Sequence, residues 1–148
     1  MIVKEFSFLS VKKLEKNEDI KKAINLVWTV FQEYDASDYS EEGINEFYKS
    51  IHDTNFISQL NWYGAYNQEE LIGIIATRDN GKHISLFFVD RKYQRQGIGK
   101  RLFRTVRIEK MTVNSSPYAV PIYHKLCFKE TDSEQIVNGL RYIPMILS

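Results

Sequence analysis

Gln94-Arg95-Gln96-Gly97-Ile98-Gly99-Lys100 sets two glycines, one residue apart, between an apolar run and a basic amphipathic run. Upstream, Ile84, Leu86, Phe87, Phe88 and Val89 read as a buried strand. Downstream, Ile98, Leu102 and Val106 recur on one helical face. The turn between them presents backbone N–H groups at a helix N-terminus, where unpaired donors and the positive end of the helix dipole attract a phosphate. Glycine permits the close approach that a side chain would block. Spacing excludes two common phosphate loops. A P-loop needs G-x-x-x-x-G-K-[ST], and a dinucleotide fingerprint needs a third glycine where this chain has Leu102.

Working outward, the apolar spacing predicts an α+β order, β-α-α-β-β-β-α-β-α-β-β. An edge strand covers Ser10 to Leu14, with an extension before it. Asn17 is the expected N-cap of a helix over Asp19 to Tyr34, whose inner face carries Ile20, Ala23, Val27, Val30, Phe31 and Tyr34. A second helix opens at Ser40 and buries Ile44, Phe47, Tyr48 and Ile51. Three strands follow as a meander, Trp62 to Tyr66, Leu71 to Thr77 and His83 to Val89, with an Asn80-Gly81 turn signal in the last connection. After the glycine turn come a helix to about Ile108, a strand at Met111 to Asn114 and a helix that starts properly only near Pro121. Strands at Phe128 to Ser133 and Leu140 to Leu147 close the chain.

The glycine turn resembles the acetyl-CoA-binding signature of the GNAT superfamily of N-acetyltransferases, [QR]-x-x-G-x-[GA], met by Gln94, Gly97 and Gly99. A second region, Val113 to Phe128, is similar to that family's strand ending in Asn, its helix carrying a Tyr and its Leu-Gly-Phe lead into the next strand. Asn114, Tyr123, Leu126 and Phe128 match, while Cys127 stands where glycine is usual. The resemblance extends from the helix after Asn17 to the last residues. It implies a three-layer α/β/α fold around a mixed, mostly antiparallel sheet of six to seven strands with about four helices.

Acetyl-CoA is the implied donor and a primary amine of a small molecule or peptide the implied acceptor, reacting directly in a ternary complex without a metal. Gln94, Arg95, Gln96, Gly97, Ile98, Gly99 and Lys100 are then expected at the pyrophosphate. Phe88, Val89, Asn114 and Tyr123 are expected along the rest of the cofactor. The oxyanion donor is the backbone N–H of Phe88 or Val89. Tyr123 is the expected general acid, since a phenol with a reference pKa of about 10 stays protonated at neutral pH. Asn114 either supports the thioester or caps the following turn. Glu33 is the expected base, with His83 as a second candidate and His52 and His124 behind them. Family members often dimerise, so a homodimer is a further expectation. A non-catalytic acyl-CoA-binding module is the alternative that the same residues leave open.

A chain of 148 residues reads as one domain over 1–148, and no Pro-, Gly- or Ser-rich linker divides it. Its longest apolar stretches fall far short of the roughly 20 residues that cross a bilayer. Lys4, Glu5, Lys12 and Lys13 interrupt any signal-like N-terminal run, so the expected location is cytoplasmic. Cys127 is the single cysteine, which excludes an intramolecular disulfide and a cysteine-based zinc site. Net charge is only +1, yet the seven basic residues from Arg91 to Arg107 are unopposed by any acid within that run. Arg101 and Arg104 read as an ordinary solvated helix face, or else Lys100, Arg95 or Arg104 meets coenzyme A's 3′-phosphate or pyrophosphate. Sparse aromatic interleaving, Tyr93 and Phe103 alone, speaks against nucleic acid. Glu33, Tyr34, Asp35, Asp38, Tyr39 and Arg141 fall on the expected acceptor side, where the two aspartates read first as a solvated loop and second as a sign of a cationic amine.

Overall fold

The computed structural model describes residues 9–148. The described residues form one mixed sheet of eight strands with helices on both faces. Edge strand β1 (Leu9–Leu14) leads to helix α1 (Asn17–Val30), which continues through a π-helical turn (Phe31–Asp35) and a 3-10 turn (Ala36–Asp38). Helix α2 (Glu41–Ile51) and a short α3 (Thr54–Ser58) precede the meander β2 (Asn61–Asn67), β3 (Glu70–Arg78) and β4 (His83–Val89). The glycine turn then feeds α4 (Ile98–Val106). Strand β5 (Met111–Ser115), helix α5 (Val120–Lys125) and strands β6 (Lys129–Glu130), β7 (Gln135–Val137) and β8 (Leu140–Leu147) complete the order. Spatially the strands run β1-β2-β3-β4-β5-β8-β6, with β7 beside β8, and β4–β5 is the parallel pairing.

Strand β3 shows why the layers form. Ile72 and Ile75 point to one face and pack with Ile98, Leu102, Phe103 and Val106 of α4 and Tyr123 of α5. Ile74 and Ala76 point to the other, with Ala23, Ile24 and Val27 of α1 and Ile51 of α2. A strand covered on both faces carries a continuous apolar run rather than an alternating one, which is what Leu71 to Ala76 is. Burying each such side chain stabilises the fold by about 1.5–3 kcal/mol.

Several local expectations change. Asn17 is the first helical residue, not the cap; Lys16 takes that position with no side-chain bond, and Glu18 and Asp19 complement the dipole instead. The first helix leaves α geometry at Phe31 rather than running on to Tyr34. Helix α3 is too short for periodicity to show, and its sequence signal is Asp53. The Asp53 carboxylate accepts the N–H groups of Asn55 and Phe56 at 2.8 and 3.3 Å. The strand expected over Phe128 to Ser133 shrinks to β6. In its place β7 forms a tight hairpin with β8 through Asn138-Gly139, both with positive φ as a type I′ turn requires. The extension expected before Ser10 lies, apart from Leu9, outside the described residues.

One irregularity positions everything that follows. Ala76 faces Leu86 and Thr77 faces Ile84, so Ser85 is an extra residue in β4. Such a bulge bends and twists its strand. Strands β4 and β5 pair only at His83–Thr112 and Ile84–Val113, immediately before the bulge. Past Ser85 their pairing ends, and a gap opens between them toward the glycine turn.

Candidate active site

The gap has an exposed backbone edge. The Asp90 N–H donates to the Ile72 carbonyl at 2.8 Å, which assigns Asp90, and by alternation Phe88, to the β3 side. Val89 therefore turns its N–H and C=O toward the gap. Its carbonyl accepts the Gln94 side-chain amide at 2.9 Å, tying the glycine turn to the end of β4. Arg95 and Gly97 both have positive φ, +64° and +86°. A Cβ on Gly97 would stand in open space, so room exists there for a ligand while the backbone geometry still demands glycine. The first bond of α4 runs from the Arg101 N–H to the Gly97 carbonyl at 3.1 Å, leaving the N–H groups of Ile98, Gly99 and Lys100 as unpaired donors. Buried Ile98 anchors this helix end, and Arg95, Gln96 and Lys100 are exposed around it. Asn114 is exposed near the end of β5, opposite Pro144 of β8.

Tyr123 is the one buried residue of α5, 5% exposed. It packs edge-on against Phe128, ring centres 5.5 Å apart, and lies 6.1 Å from Phe87 on β4. A Schellman motif sets its place. The Phe128 N–H donates to the Tyr123 carbonyl and the Cys127 N–H to that of His124, each at 3.0 Å, with Cys127 left-handed at φ +72°. Among the described residues the Tyr123 hydroxyl has no hydrogen-bond partner. Burial, and then the charge of Asp35, hold this phenol protonated far above the usual tyrosine range.

Asp35 ends the π-helical turn and is 7% exposed. Its pKa is raised to about 6 by burial, against which the Ser116 hydroxyl acts, with Asp38 adding repulsion. Ser116 accepts the Ala119 N–H at 3.2 Å, so its own proton is free for the carboxylate. Tyr34 and Tyr118, ring centres 5.2 Å apart, join the end of α1 to the segment before α5 across the gap. Glu33 does not join this group; it is exposed. His83 sits at the opposite end of β4, roughly 20 Å from Val89 at about 3.3 Å per residue. Its Nδ1 lies 2.7 Å from the Thr112 hydroxyl, and burial lowers its pKa to about 4. Asp35 has a readable signal after all. It falls on the buried stripe of α1, the position after Val27 and Phe31, where an apolar residue belongs.

Beyond the gap, the hairpin of β7 and β8 closes over the turn between α1 and α2. The Tyr39 hydroxyl donates to the Arg141 carbonyl at 3.0 Å. The Arg141 guanidinium holds Glu134 at 2.7 and 3.1 Å and donates to the Asp38 carbonyl at 2.6 Å. Two surface depressions, of about 300 and 520 Å³, open elsewhere, around Asn80–Ile108 and Lys82–Ile146, and neither includes Tyr123, Asp35 or the glycine turn. Among the described residues no cluster of three His, Cys, Asp or Glu could hold a metal ion, and no helix is long and apolar enough to cross a membrane.

Comparison with known proteins agrees with this architecture. A GCN5-related N-acetyltransferase from Rhodopseudomonas palustris is similar over 96% of each chain, with 19% identity and a TM-score of 0.81. The PaiA N-acetyltransferase of Thermoplasma acidophilum, solved with coenzyme A, matches 94% of this chain and 98% of its own at 19% identity and a TM-score of 0.68. Arabidopsis thaliana Naa50, solved with the bisubstrate analogue CoA-Ac-MVNAL, matches 95% of this chain and 99% of its own at 17% identity and a TM-score of 0.64. Among curated proteins no relative matches by sequence. The family model described as acetyltransferase (GNAT) domain matches residues 35–148, from the buried aspartate to the last residue, and the chain belongs to that family.

Proposed function

We propose that the protein transfers an acetyl group from acetyl-CoA to a primary amine. The observation that carries this reading is the gap itself: the open Val89 edge, the unpaired N–H groups of Ile98, Gly99 and Lys100 at one end, and a buried phenol without a partner at the other. An extended pantetheine arm has amide groups that pair with an open strand edge, and a pyrophosphate meets the N-terminus of α4. The Val89 N–H then faces the thioester oxygen, where negative charge develops as the amine attacks. Of the two backbone donors expected from sequence, alternation favours Val89 over Phe88. Tyr123 gives its proton to the departing sulfur, and Asn114 lines the β5 side. Arg95, Gln96 and Lys100 are exposed around the anion, while Gln94 acts through its hold on the Val89 carbonyl. The domain of residues 1–148 acts as one catalytic unit.

Titration calorimetry with acetyl-CoA tests the donor half, and no heat at millimolar cofactor overturns it. Tyr123→Phe tests the chemistry. Turnover falls about 10²-fold or more, as for loss of a general acid, while cofactor affinity stays within about twofold. Loss of affinity in this variant instead makes Tyr123 a packing residue. Free-thiol release with an amine panel separates an enzyme from a non-catalytic acyl-CoA-binding module.

A further inference from the structure

A buried carboxylate without a cation beside it is costly, and proteins keep such groups only when something else supplies the partner. Asp35 is in this position at 7% exposure. The groups that face it are neutral or acidic: Asp38 and Tyr39 from its own turn, and Ser116, Tyr118 and Tyr123 from the segment leading into α5. Arg141 is engaged elsewhere, with Glu134 and the Asp38 carbonyl, and Arg95 reaches Tyr118. The π-helical turn winds wider than the α-helix it continues and carries Asp35 buried beside the segment leading into α5, a distortion that recurs at functional sites. Opposite it stands the unpartnered Tyr123 hydroxyl, on a residue itself 5% exposed.

We propose that Asp35 receives the ammonium group of the acceptor and takes its proton, and that the acceptor is a primary alkylammonium with no carboxylate near the reacting nitrogen. This rests on the gap being the acetyl-CoA site. Tyr34 and Tyr118 supply aromatic faces that attract a cation, and Asp38, close enough to Asp35 to raise its pKa, repels an anionic acceptor.

The protons balance. An ammonium loses one proton to Asp35, which passes it to solvent. The amine lone pair then forms the C–N bond at the thioester carbon, and the C–S bond breaks. The leaving sulfur takes the Tyr123 proton, and the second proton lost from nitrogen restores the phenol. The products are an N-alkylacetamide, coenzyme A thiol and one released proton.

The test assays wild type, Asp35→Asn and Asp35→Ala with saturating acetyl-CoA against butylamine, 1,4-diaminobutane and 4-aminobutanoate, with acetyl-CoA affinity measured in parallel by calorimetry. The expected result is a kcat about 10²-fold lower or more in Asp35→Asn, unchanged acetyl-CoA affinity, partial rescue of Asp35→Ala by formate, and the lowest kcat/KM for 4-aminobutanoate. Formate rescue is a readout that a merely structural aspartate does not give. Retention of kcat within threefold in Asp35→Asn overturns the proposal, as does preference for 4-aminobutanoate. Bound acetyl-CoA with no alkylamine acetylated also overturns it while sparing the donor site. Absence of acetyl-CoA binding overturns both.

Discussion

Asp35 and Cys127 are both held against a local preference, and their consequences for stability can be worked out in sign. The Asp35 pKa rises from 3.8 to about 6 on folding. Below 3.8 both native and unfolded forms are protonated and nothing is lost. Between 3.8 and 6 the native state binds the extra proton, so stability falls as pH rises across that window, by about 3 kcal/mol in all. At pH 7 Asp35→Asn escapes this cost, and its melting temperature should exceed that of wild type by several degrees; at pH 4 the two should nearly coincide. A less stable Asp35→Asn at pH 7 means that the carboxylate is satisfied within the fold. With Asp35 as the proposed base, activity should run the other way, kcat/KM falling as pH drops below about 6. Cys127 sits at φ +72° in the Schellman position that glycine favours. A non-glycine residue there costs about 1–2 kcal/mol, partly offset by the 0.5–1 kcal/mol of extra entropy that glycine loses. Cys127→Gly should therefore raise the melting temperature by a few degrees, and a lower value refutes the strain. At this scale the sequence was informative where a motif names the position, as for Tyr123 and Cys127. For Asp35 its place on the stripe of Val27 and Phe31 was the readable sign, while the π-helical turn that carries it has no signature in composition.

Among the elements, the bulge at Ser85 stands where the pairing of β4 with β5 ends and the gap begins. The Ser85 hydroxyl is buried without a partner, so the residue serves through the backbone it inserts. Removing it leaves Ile84 on the α4 side and Leu86 on the α1 side, where each already packs, because the extra residue is what breaks the alternation. Deletion of Ser85 should thus give a folded protein in which β4 continues to pair with β5 and the gap narrows. Acetyl-CoA affinity should fall at least tenfold, and unchanged affinity means that the gap does not depend on the bulge. The meander, the glycine turn and α4 were legible because each has a period or a turn signal longer than its own irregularities. The bulge was not, since one extra residue in Ile84-Ser85-Leu86 leaves a run that still reads as strand. Helix α3 and strand β7 were missed for another reason: each is too short for periodicity, and only Asp53 and Asn138-Gly139 mark them.

Across the whole molecule, the proposed donor half and the proposed acceptor half meet the sheet separately. The donor half comprises the end of β4, the glycine turn and α4. The acceptor half is joined across the turn between α1 and α2, where α2 approaches the β7–β8 hairpin through two glycines. A Cβ on Gly139 would come 2.6 Å from the Gly43 nitrogen, and one on Gly43 would overlap the Gly139 carbonyl. Tyr39 and Arg141 fasten the same contact from either side. Gly43→Ala makes a sharp test because helix propensity alone would make alanine stabilising by about 0.8–1.0 kcal/mol in α2. A loss of stability must therefore come from pushing the hairpin away. The hairpin carries Glu134 and Arg141, so its displacement should raise the acceptor KM severalfold while the acetyl-CoA Kd, set on the other side of the gap, stays within about twofold. Calorimetry with acetyl-CoA beside acceptor kinetics reads the two separately. Equal losses in both would mean that the halves form one cooperative unit, and a more stable variant with unchanged KM would mean that the glycine contact yields without moving the hairpin.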